Sequence, residues 1–261
     1  MTYNYHTHTF MCSHATGTPE EYILRAIDCG ITHMGFSDHA PFICSCGKEA
    51  GYRVPTARVG EYFSMLTGLR EKYKDKIDIK IGFEMEYYPE KFNDMFNFVK
   101  KSGAEYLILG EHYMHEELPD GIHCNKRTED EGVLEEYVNC IVSGIKSGVF
   151  TYIAHPDMVR FTGNEAVYNE KMRRICVNSR EYNVPLELNF LGIRDGRNYP
   201  YGSFWEMAGQ EKCPVVFGFD AHDVNAAFDG ESLKKAYEMV EKYGLNYIGR
   251  PTVTDIQKKD V

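Results

Sequence analysis

Short β-rich apolar runs alternate with amphipathic segments along the whole chain. This alternation is typical of βα units, in which helices connect parallel strands. The predicted strands cover residues 3–8, 31–37, 77–83, 106–110, 149–154, 185–189 and 214–219. The predicted helices cover residues 18–29, 59–73, 89–101, 131–147, 165–182 and 231–243. No linker, repeat or break in composition interrupts the pattern, so we expect one α/β domain over residues 1–261.

The length supports this interpretation. A chain of 261 residues with 43% hydrophobic content can bury a large core, as one α/β barrel or as two smaller domains. We treat it as one domain. The predicted loops include two long ones, over residues 40–58 and 114–130, and we expect the first to cover an active site.

Charge limits the classes of partner. The formal net charge of -10 argues against a nucleic acid or a membrane as the main partner. A small phosphorylated molecule can still bind where metal cations reverse the local field. No apolar run approaches the roughly 20 residues that span a bilayer. The 8 cysteines lack paired spacing and no signal peptide precedes the first strand, so we expect reduced thiols in a cytoplasmic protein.

Candidate metal ligands follow the predicted strands. His6 and His8 alternate along the first strand and therefore face the same side. Further candidates stand in the next loop or at later strand ends: His14, Asp38, His39, Glu84, His112, His155, Asp220 and His222. The C-terminal ends of parallel barrel strands converge on one mouth, so these side chains are expected to meet. His33, His115 and His123 fall outside the pattern and are expected in solvent or in the core.

The donor types indicate which metals fit. A nitrogen-rich set with few carboxylates suits zinc, iron or manganese better than magnesium or calcium. The set is too large for one ion, so we expect two or three, with a carboxylate such as Glu84 bridging a pair.

The chain resembles the polymerase and histidinol phosphatase (PHP) superfamily, and within it the histidinol-phosphate phosphatases. The resemblance rests on the ordered motifs His6-Thr7-His8-Thr9, Ser13-His14, Ser37-Asp38-His39-Ala40-Pro41-Phe42, Gly82-Phe83-Glu84, Gly110-Glu111-His112, His155-Pro156-Asp157 and Phe217-Gly218-Phe219-Asp220-Ala221-His222. The narrower likeness rests on Asp38-His39-Ala40-Pro41-Phe42, on Glu84-Met85-Glu86-Tyr87-Tyr88-Pro89 and on Glu187-Leu188-Asn189 followed by Arg194. Phe219 departs from the family, which has a small polar residue there, but no departure removes a ligand.

The resemblance implies a distorted (β/α)7 TIM-like barrel that holds three divalent metal ions, zinc, iron or manganese. Carried over by position, the first metal would be held by His6, His8, Glu84 and Asp220. Glu84 would bridge to a second metal held by His112 and His155. The third metal would be held by His14, His39 and His222. Glu84, Asp220 and His155 are the implied catalytic residues.

The activity implied by the resemblance is hydrolysis of L-histidinol phosphate to L-histidinol and phosphate, a step of histidine biosynthesis. The expected nucleophile is a metal-bridging hydroxide in the trinuclear site. Arg160 and Arg194 are expected to bind the phosphate with their planar forks, and Arg197 is a third candidate. The general acid stays open among Asp157, Glu111 and a metal-bound water.

Three alternatives remain. A PHP-type phosphodiesterase or nuclease would act on nucleotides, and a non-catalytic module would bind metals only. An amidohydrolase-type metal hydrolase also begins with His-x-His, but that family commonly has a modified lysine after strand 4, where this chain has Gly110-Glu111-His112. The sequence leaves the metal identity and the oligomeric state open.

Overall fold

The computed structural model describes residues 1–261 and contains one sheet of eight parallel strands, each beside its successor in the chain. The strands are β1 Tyr3–Asn4, β2 His33–His39, β3 Asp78–Met85, β4 Tyr106–Leu109, β5 Phe150–Ile153, β6 Leu186–Asn189, β7 Pro214–Gly218 and β8 Asn246–Tyr247. The helices are α1 Pro19–Asp28, α2 Val59–Tyr73, α3 Phe92–Ser102, α4 Glu131–Ser147, α5 Glu165–Tyr182, α6 Phe190–Asp195, α7 Gly202–Gln210 and α8 Gly230–Tyr243. No helix is both long enough and apolar enough to cross a bilayer.

The sheet curls until its first and seventh strands meet. An isolated parallel bridge joins Thr7, beyond β1, to Ala221, beyond β7. Its two hydrogen bonds run from His8 N to Ala221 O (3.0 Å) and from Ala221 N to His6 O (3.3 Å). The short β8 pairs only with the first residues of β7. The predicted TIM-like barrel is therefore confirmed, and β8 is an eighth strand that the sequence pattern did not predict.

Asn4 explains why β1 is shorter than the predicted strand over residues 3–8. Its Oδ1 accepts hydrogen bonds from His6 N (3.0 Å) and Phe219 N (3.3 Å), and its Nδ2 donates to Thr7 Oγ1 (2.8 Å). These side-chain bonds replace part of the regular strand ladder. The chain nevertheless stays buried from Tyr3 to Thr9 and carries both histidines into the barrel mouth.

Local sequence signals account for the helix ends. Thr18 and Glu21 form a reciprocal capping box at the start of α1, with Pro19 in the first turn. Gly103 ends α3 with φ 104° and Gly148 ends α4 with φ 67°, both in the left-handed region that favours glycine. The amphipathic helices thus begin and end close to the predicted positions.

The connection between β6 and β7 differs from the prediction. A loop was expected to carry Arg194 and Arg197, but Arg194 lies in the last turn of α6 and α7 follows. Asn189 caps α6, because its Oδ1 accepts from Gly192 N at 3.1 Å. A helix of 6 residues shows too little periodicity to be recognised in the sequence.

Inside the barrel, below its mouth, four tyrosines form what we call the tyrosine layer: Tyr3, Tyr5, Tyr106 and Tyr152. The Tyr106 hydroxyl donates to Tyr5 O (2.9 Å), and Tyr3 donates to Tyr247 (3.4 Å). Gly35 makes room for this layer, since a Cβ there would lie 2.1 Å from the Tyr106 hydroxyl. The layer closes the lower barrel, so any chemistry is confined to the opposite end.

Candidate metal centre and active site

All nine side chains predicted as metal ligands lie together at the C-terminal ends of the strands. Neighbouring imidazoles are close: the ring centroids of His8 and His39 are 4.5 Å apart, and those of His112 and His155 are 5.0 Å apart. Most members are buried, whereas His14 is exposed. Seven of them line a cavity of about 610 Å³: His14, His39, Glu84, His112, His155, Asp220 and His222.

The first group consists of His6, His8, Glu84 and Asp220. Each imidazole Nε2 lies 3.3 to 3.5 Å from Glu84 Oε2 and from Asp220 Oδ1. None of these four atoms has a hydrogen-bond partner within the protein. Ligands about 2.1 Å from a tetrahedral cation stand about 3.4 Å apart. Because each unpaired buried polar atom costs ~1–3 kcal/mol, the arrangement fits a divalent cation.

The second group consists of Glu84, His112 and His155. This group faces the other oxygen of the Glu84 carboxylate: Glu84 Oε1 lies 2.8 Å from His155 Nε2 and 3.5 Å from His112 Nε2. A carboxylate whose oxygens face two clusters of nitrogen ligands can bridge two metal ions. Burial opposes ionisation of Glu84, but His112 and His6 hold the pKa of its carboxyl well below its usual range. Glu84 therefore carries its negative charge between the two groups.

The third group consists of His14, His39 and His222, at the open side of the cavity. His14 Nε2 and His222 Nε2 are 3.0 Å apart, and the rings of His14 and His39 are 5.3 Å apart. His39 also reaches the first group, since its Nδ1 lies 3.3 Å from Glu84 Oε2. The geometry thus places His39 between the groups, whereas the family resemblance assigned it to the third alone.

Buried carboxylates outside these groups orient the histidines. His6 Nδ1 donates to Glu187 Oε1 at 2.7 Å, and His112 Nδ1 donates to Glu86 Oε1 at 2.9 Å. A hydrogen bond at Nδ1 leaves the Nε2 lone pair free for a metal. Asp38, which the strand-end pattern suggested, faces the outer nitrogen of His8 at 3.4 Å. The sequence contained these acids in its motifs but gave no sign of which imidazole each would contact.

The three predicted arginines do not share one place. Arg194 and Arg197 line the cavity, where Arg194 Nη1 donates to Asp229 Oδ2 (3.1 Å) and Arg197 Nη1 to the Tyr199 hydroxyl (3.2 Å).

Arg160 is exposed and lines a separate groove beside Phe161. Its N donates to Cys124 O and its O accepts from Thr128 N, both at 3.0 Å. This backbone pairing fixes the segment against the neighbouring loop, away from the cavity. The structure therefore does not support the prediction that Arg160 binds the phosphate.

His123 was expected in solvent or in the core, but it forms part of the cavity wall. Its ring contacts Tyr113 in a T-shaped pair at 5.0 Å, and Tyr113 stacks with Tyr52 at 5.9 Å. Asn125 N donates to His123 Nδ1 at 3.0 Å, so the neutral ring carries its proton on Nε2. Burial, followed by the charges of His112 and His155, lowers the pKa of His123 to about 4. No strand-end pattern in the sequence marks His123, so only the contacts between loops in the structure identify it as a cavity residue.

The two carboxyl groups considered as general acids are buried away from the cavity. Asp157 Oδ2 accepts from Trp205 Nε1 at 3.0 Å and also from Tyr201 N, which anchors the start of α7. Glu111 Oε2 accepts from Tyr87 N at 2.9 Å. Neither carboxyl lines the cavity, so neither is placed to protonate a leaving group there.

The chain is similar to known proteins over most of its length. Residues 4–190 match the family model of the PHP domain. A histidinol-phosphatase of Bacillus subtilis is 27% identical, with 86% of this chain and 96% of that protein covered. A probable histidinol-phosphatase of Deinococcus radiodurans is 26% identical, with 83% and 85% covered. The crystal structure of the Lactococcus lactis histidinol phosphate phosphatase, complexed with zinc, L-histidinol and phosphate, superposes with a TM-score of 0.74 at 21% identity, covering 100% of this chain and 99% of that one.

Proposed function

The chain belongs to the PHP domain family, and from this membership we propose that it is a metal-dependent phosphatase whose substrate is L-histidinol phosphate. The observation that carries the proposal is the position of Glu84. Its two oxygens face two separate sets of imidazoles at the base of a cavity that two arginines line. The names of the Bacillus and Deinococcus relatives support the choice of substrate.

We assign one divalent cation to each group, three in all, with Glu84 shared by the first and second. Divalent cations neutralise phosphate oxygens and lower the pKa of bound water towards ~7. Zinc, iron and manganese suit the donor set, and zinc is present in the Lactococcus structure. In the chain itself, Glu187 and Glu86 keep the imidazoles of His6 and His112 oriented. Glu84 and Asp220 would supply the negative charge that holds the cations.

Arg194 and Arg197 would hold the phosphate of the substrate. Each has part of its guanidinium fixed by a protein acceptor, Asp229 for Arg194 and Asp195 with Tyr199 for Arg197. A guanidinium held in this way loses less entropy when its remaining N–H groups bind phosphate oxygens. Both arginines line the cavity together with Asp220, and Arg194 Nη2 donates to Asp220 O at 3.5 Å. Their charge complements a phosphate dianion in a protein whose net charge is -10.

An aromatic part of the cavity lining suits the organic half of the substrate. Tyr52, Tyr113 and His123 form a continuous aromatic surface, with ring centroids 5.9 and 5.0 Å apart. A planar imidazole such as that of histidinol can stack against such a surface. His123 would also present an Nε2–H donor to the unprotonated ring nitrogen of the substrate.

Phosphate release by the purified, metal-analysed protein tests this function. We expect histidinol phosphate to be hydrolysed with a kcat/KM at least about 100-fold above those of sugar phosphates and nucleotides, because several polar contacts would be lost with the wrong ester. Faster turnover of nucleotide diesters would favour the phosphodiesterase alternative. Bound metal without phosphate release from any of these esters would favour a non-catalytic metal-binding module.

The thiols support a proposal about the cellular location. All eight cysteines are free, and six of them are buried. We therefore place the reaction in the reducing cytoplasm, where such thiols persist. Mass spectrometry of the native protein with and without reductant tests this: an unchanged mass is expected, and a loss of two mass units would contradict it.

A further inference from the structure

Arg53 is the single lysine or arginine whose side chain is fully buried, with 1% of its surface exposed. It belongs to the β2–α2 loop, residues 40–58, much of which is exposed. Removing a cation from water costs several kcal/mol unless other groups compensate for it. The burial of Arg53 therefore requires specific partners, and those partners indicate its role.

Two carboxylates and one carbonyl compensate for the hydration that the buried guanidinium has lost. Arg53 Nη2 donates to Glu86 Oε2 at 2.7 Å, Nη1 donates to Ala40 O at 2.8 Å, and Nε donates to Glu117. Glu86 follows β3, whereas Glu117 belongs to the β4–α4 loop. Arg53 thus ties two long loops to the rim of the barrel.

One of these carboxylates reaches the metal centre. Glu86 binds Arg53 with Oε2 and accepts from His112 Nδ1 with Oε1, at 2.9 Å. An ionised Glu86 holds the proton of His112 on Nδ1 and leaves Nε2 free to face Glu84 Oε1 at 3.5 Å. Arg53, Glu86 and His112 therefore form one continuous chain of hydrogen bonds that ends at the second group.

The first group is supported differently. Glu187 orients His6, but its second oxygen accepts only from neutral donors, His155 N (3.1 Å) and Asn189 Nδ2 (2.8 Å). No arginine or lysine forms an ion pair with Glu187. The two groups thus differ in one respect. The carboxylate that orients His112 is held in place by a buried cation of a long loop, whereas the carboxylate that orients His6 has no such cation.

We propose that Arg53 is a positioning residue that couples docking of the β2–α2 loop to metal affinity at the second group. When the loop is docked, the guanidinium fixes Glu86 and thereby His112. Without it, Glu86 is a buried acid with one partner fewer, and His112 loses its fixed orientation. The first group keeps its own support through Glu187. This inference rests on the proposed metal-dependent function.

Zinc titration of the metal-free protein tests the coupling. We compare wild type with Arg53→Met, which keeps the apolar stem but removes the charge, and use His112→Ala to identify the binding step of the second group. Arg53→Met is expected to weaken zinc binding at the second group about 10- to 100-fold and to leave zinc binding at the first and third groups unchanged. The lost phosphatase activity should return in excess zinc. Arg70→Met, which removes a surface pair with Glu105, is the matched control.

Glu117→Gln separates the hydrogen-bond chain from general loop packing. It removes the other carboxylate but leaves the link from Arg53 through Glu86 to His112, so zinc affinity is expected to stay at the wild-type value. Equal losses in Glu117→Gln and Arg53→Met would overturn the proposal, as would an Arg53→Met protein with wild-type zinc affinity and lowered thermal stability.

If Arg53→Met does not fold, Arg53→Lys decides, because lysine keeps the charge but cannot form the same three bonds. A weakened second-group step then supports the proposal, and wild-type zinc affinity refutes it. Failure of the proposed function is distinguishable: in that case the wild-type protein itself would bind no zinc or release no phosphate.

Discussion

The two ends of the barrel interior bury polar side chains in opposite ways. In the tyrosine layer, the Tyr106 and Tyr3 hydroxyls both reach protein partners, and Tyr152 alone leaves a buried hydroxyl unpaired. At the mouth, the inward-facing atoms of all four members of the first group lack a hydrogen-bond partner. Both regions are almost completely buried. Burial therefore does not distinguish structure from function here, but the pairing of polar atoms does.

This difference has a physical basis. A paired hydroxyl contributes modestly to stability, whereas a cluster of unpaired buried acceptors is costly unless a ligand supplies the missing interactions. The mouth should therefore depend on bound metal, and the tyrosine layer should not. The following experiments test that contrast, beginning with the largest expected effect.

Glu84→Gln is expected to lower kcat/KM for phosphate release by about 1,000-fold or more, because several kcal/mol of charge stabilisation disappear with the shared carboxylate. Steady-state assays with metals resupplied measure the loss. Glu105→Gln, which removes a surface partner of Arg70, serves as the control and should keep wild-type activity. A Glu84→Gln enzyme that keeps most of its activity would remove this residue from the centre.

Metal removal is expected to destabilise the whole protein. Zinc that binds only the folded state, at 1,000 times its Kd, contributes about 4 kcal/mol. Urea unfolding with chelator and with added zinc measures the difference. Zinc is expected to raise the free energy of unfolding of Tyr106→Phe by the same amount, since the Tyr106 hydroxyl donates to Tyr5 O and to no member of the metal groups. If chelation leaves the unfolding midpoint unchanged, the unpaired atoms at the mouth are not metal ligands.

Arg194→Met is expected to lower kcat/KM about 10- to 100-fold, mainly through KM, because a hydrogen bond to a charged group contributes ~1.5–3 kcal/mol. Arg160→Met is expected to have no effect, since Arg160 lines a different groove. The pair thus decides between the sequence prediction and the structure. Comparable losses in both variants would restore the expectation that Arg160 and Arg194 both bind the phosphate.

Tyr106→Phe is expected to lower the free energy of unfolding by about 1 kcal/mol, because it removes the hydrogen bond to Tyr5 O. Phosphatase activity should stay unchanged. Urea unfolding and steady-state assays of the same preparation measure both quantities. A variant that loses activity but not stability would contradict the separation of the two regions.

High pH should slightly lower the free energy of unfolding through Tyr247, which contacts the tyrosine layer at Tyr3. Burial raises the pKa of Tyr247 from 10.0 to about 12. The folded state therefore binds more protons than the unfolded state between these values, so this contribution is complete below pH 10 and is lost as pH rises towards 12. Urea midpoints of the metal-free protein at pH 8 and pH 11 test this. The urea midpoint should decrease less in Tyr247→Phe than in the wild type. An equal decrease in the two proteins would contradict the assignment of this pH dependence to Tyr247.

The parts of the molecule that repeat a local rule were predictable. Alternation placed His6 and His8 on the same side, and convergence of strand ends predicted that Asp220 and His222 would join them, as the structure shows. The longer helices were recognisable from apolar spacing and from signals such as Thr18 and Gly103.

The parts that depend on contacts between distant segments were not predictable. Arg160 is only five residues from His155, yet pairing with the β4–α4 loop sets its position. His123 showed no strand-end signal, because a loop carries it to the cavity. The two-residue β8 and the short α6 carried too little periodicity to be recognised.

The bridge between Thr7 and Ala221 has a consequence for biosynthesis. It holds His6 and His8 beside Asp220 and His222, so the first and the last predicted ligands of the chain meet across more than 200 residues. A nascent polypeptide cannot complete this site until the seventh strand has left the ribosome. The first and third groups, which need Asp220 and His222, therefore form only in molecules that contain the seventh strand, and a product that ends before it would lack both.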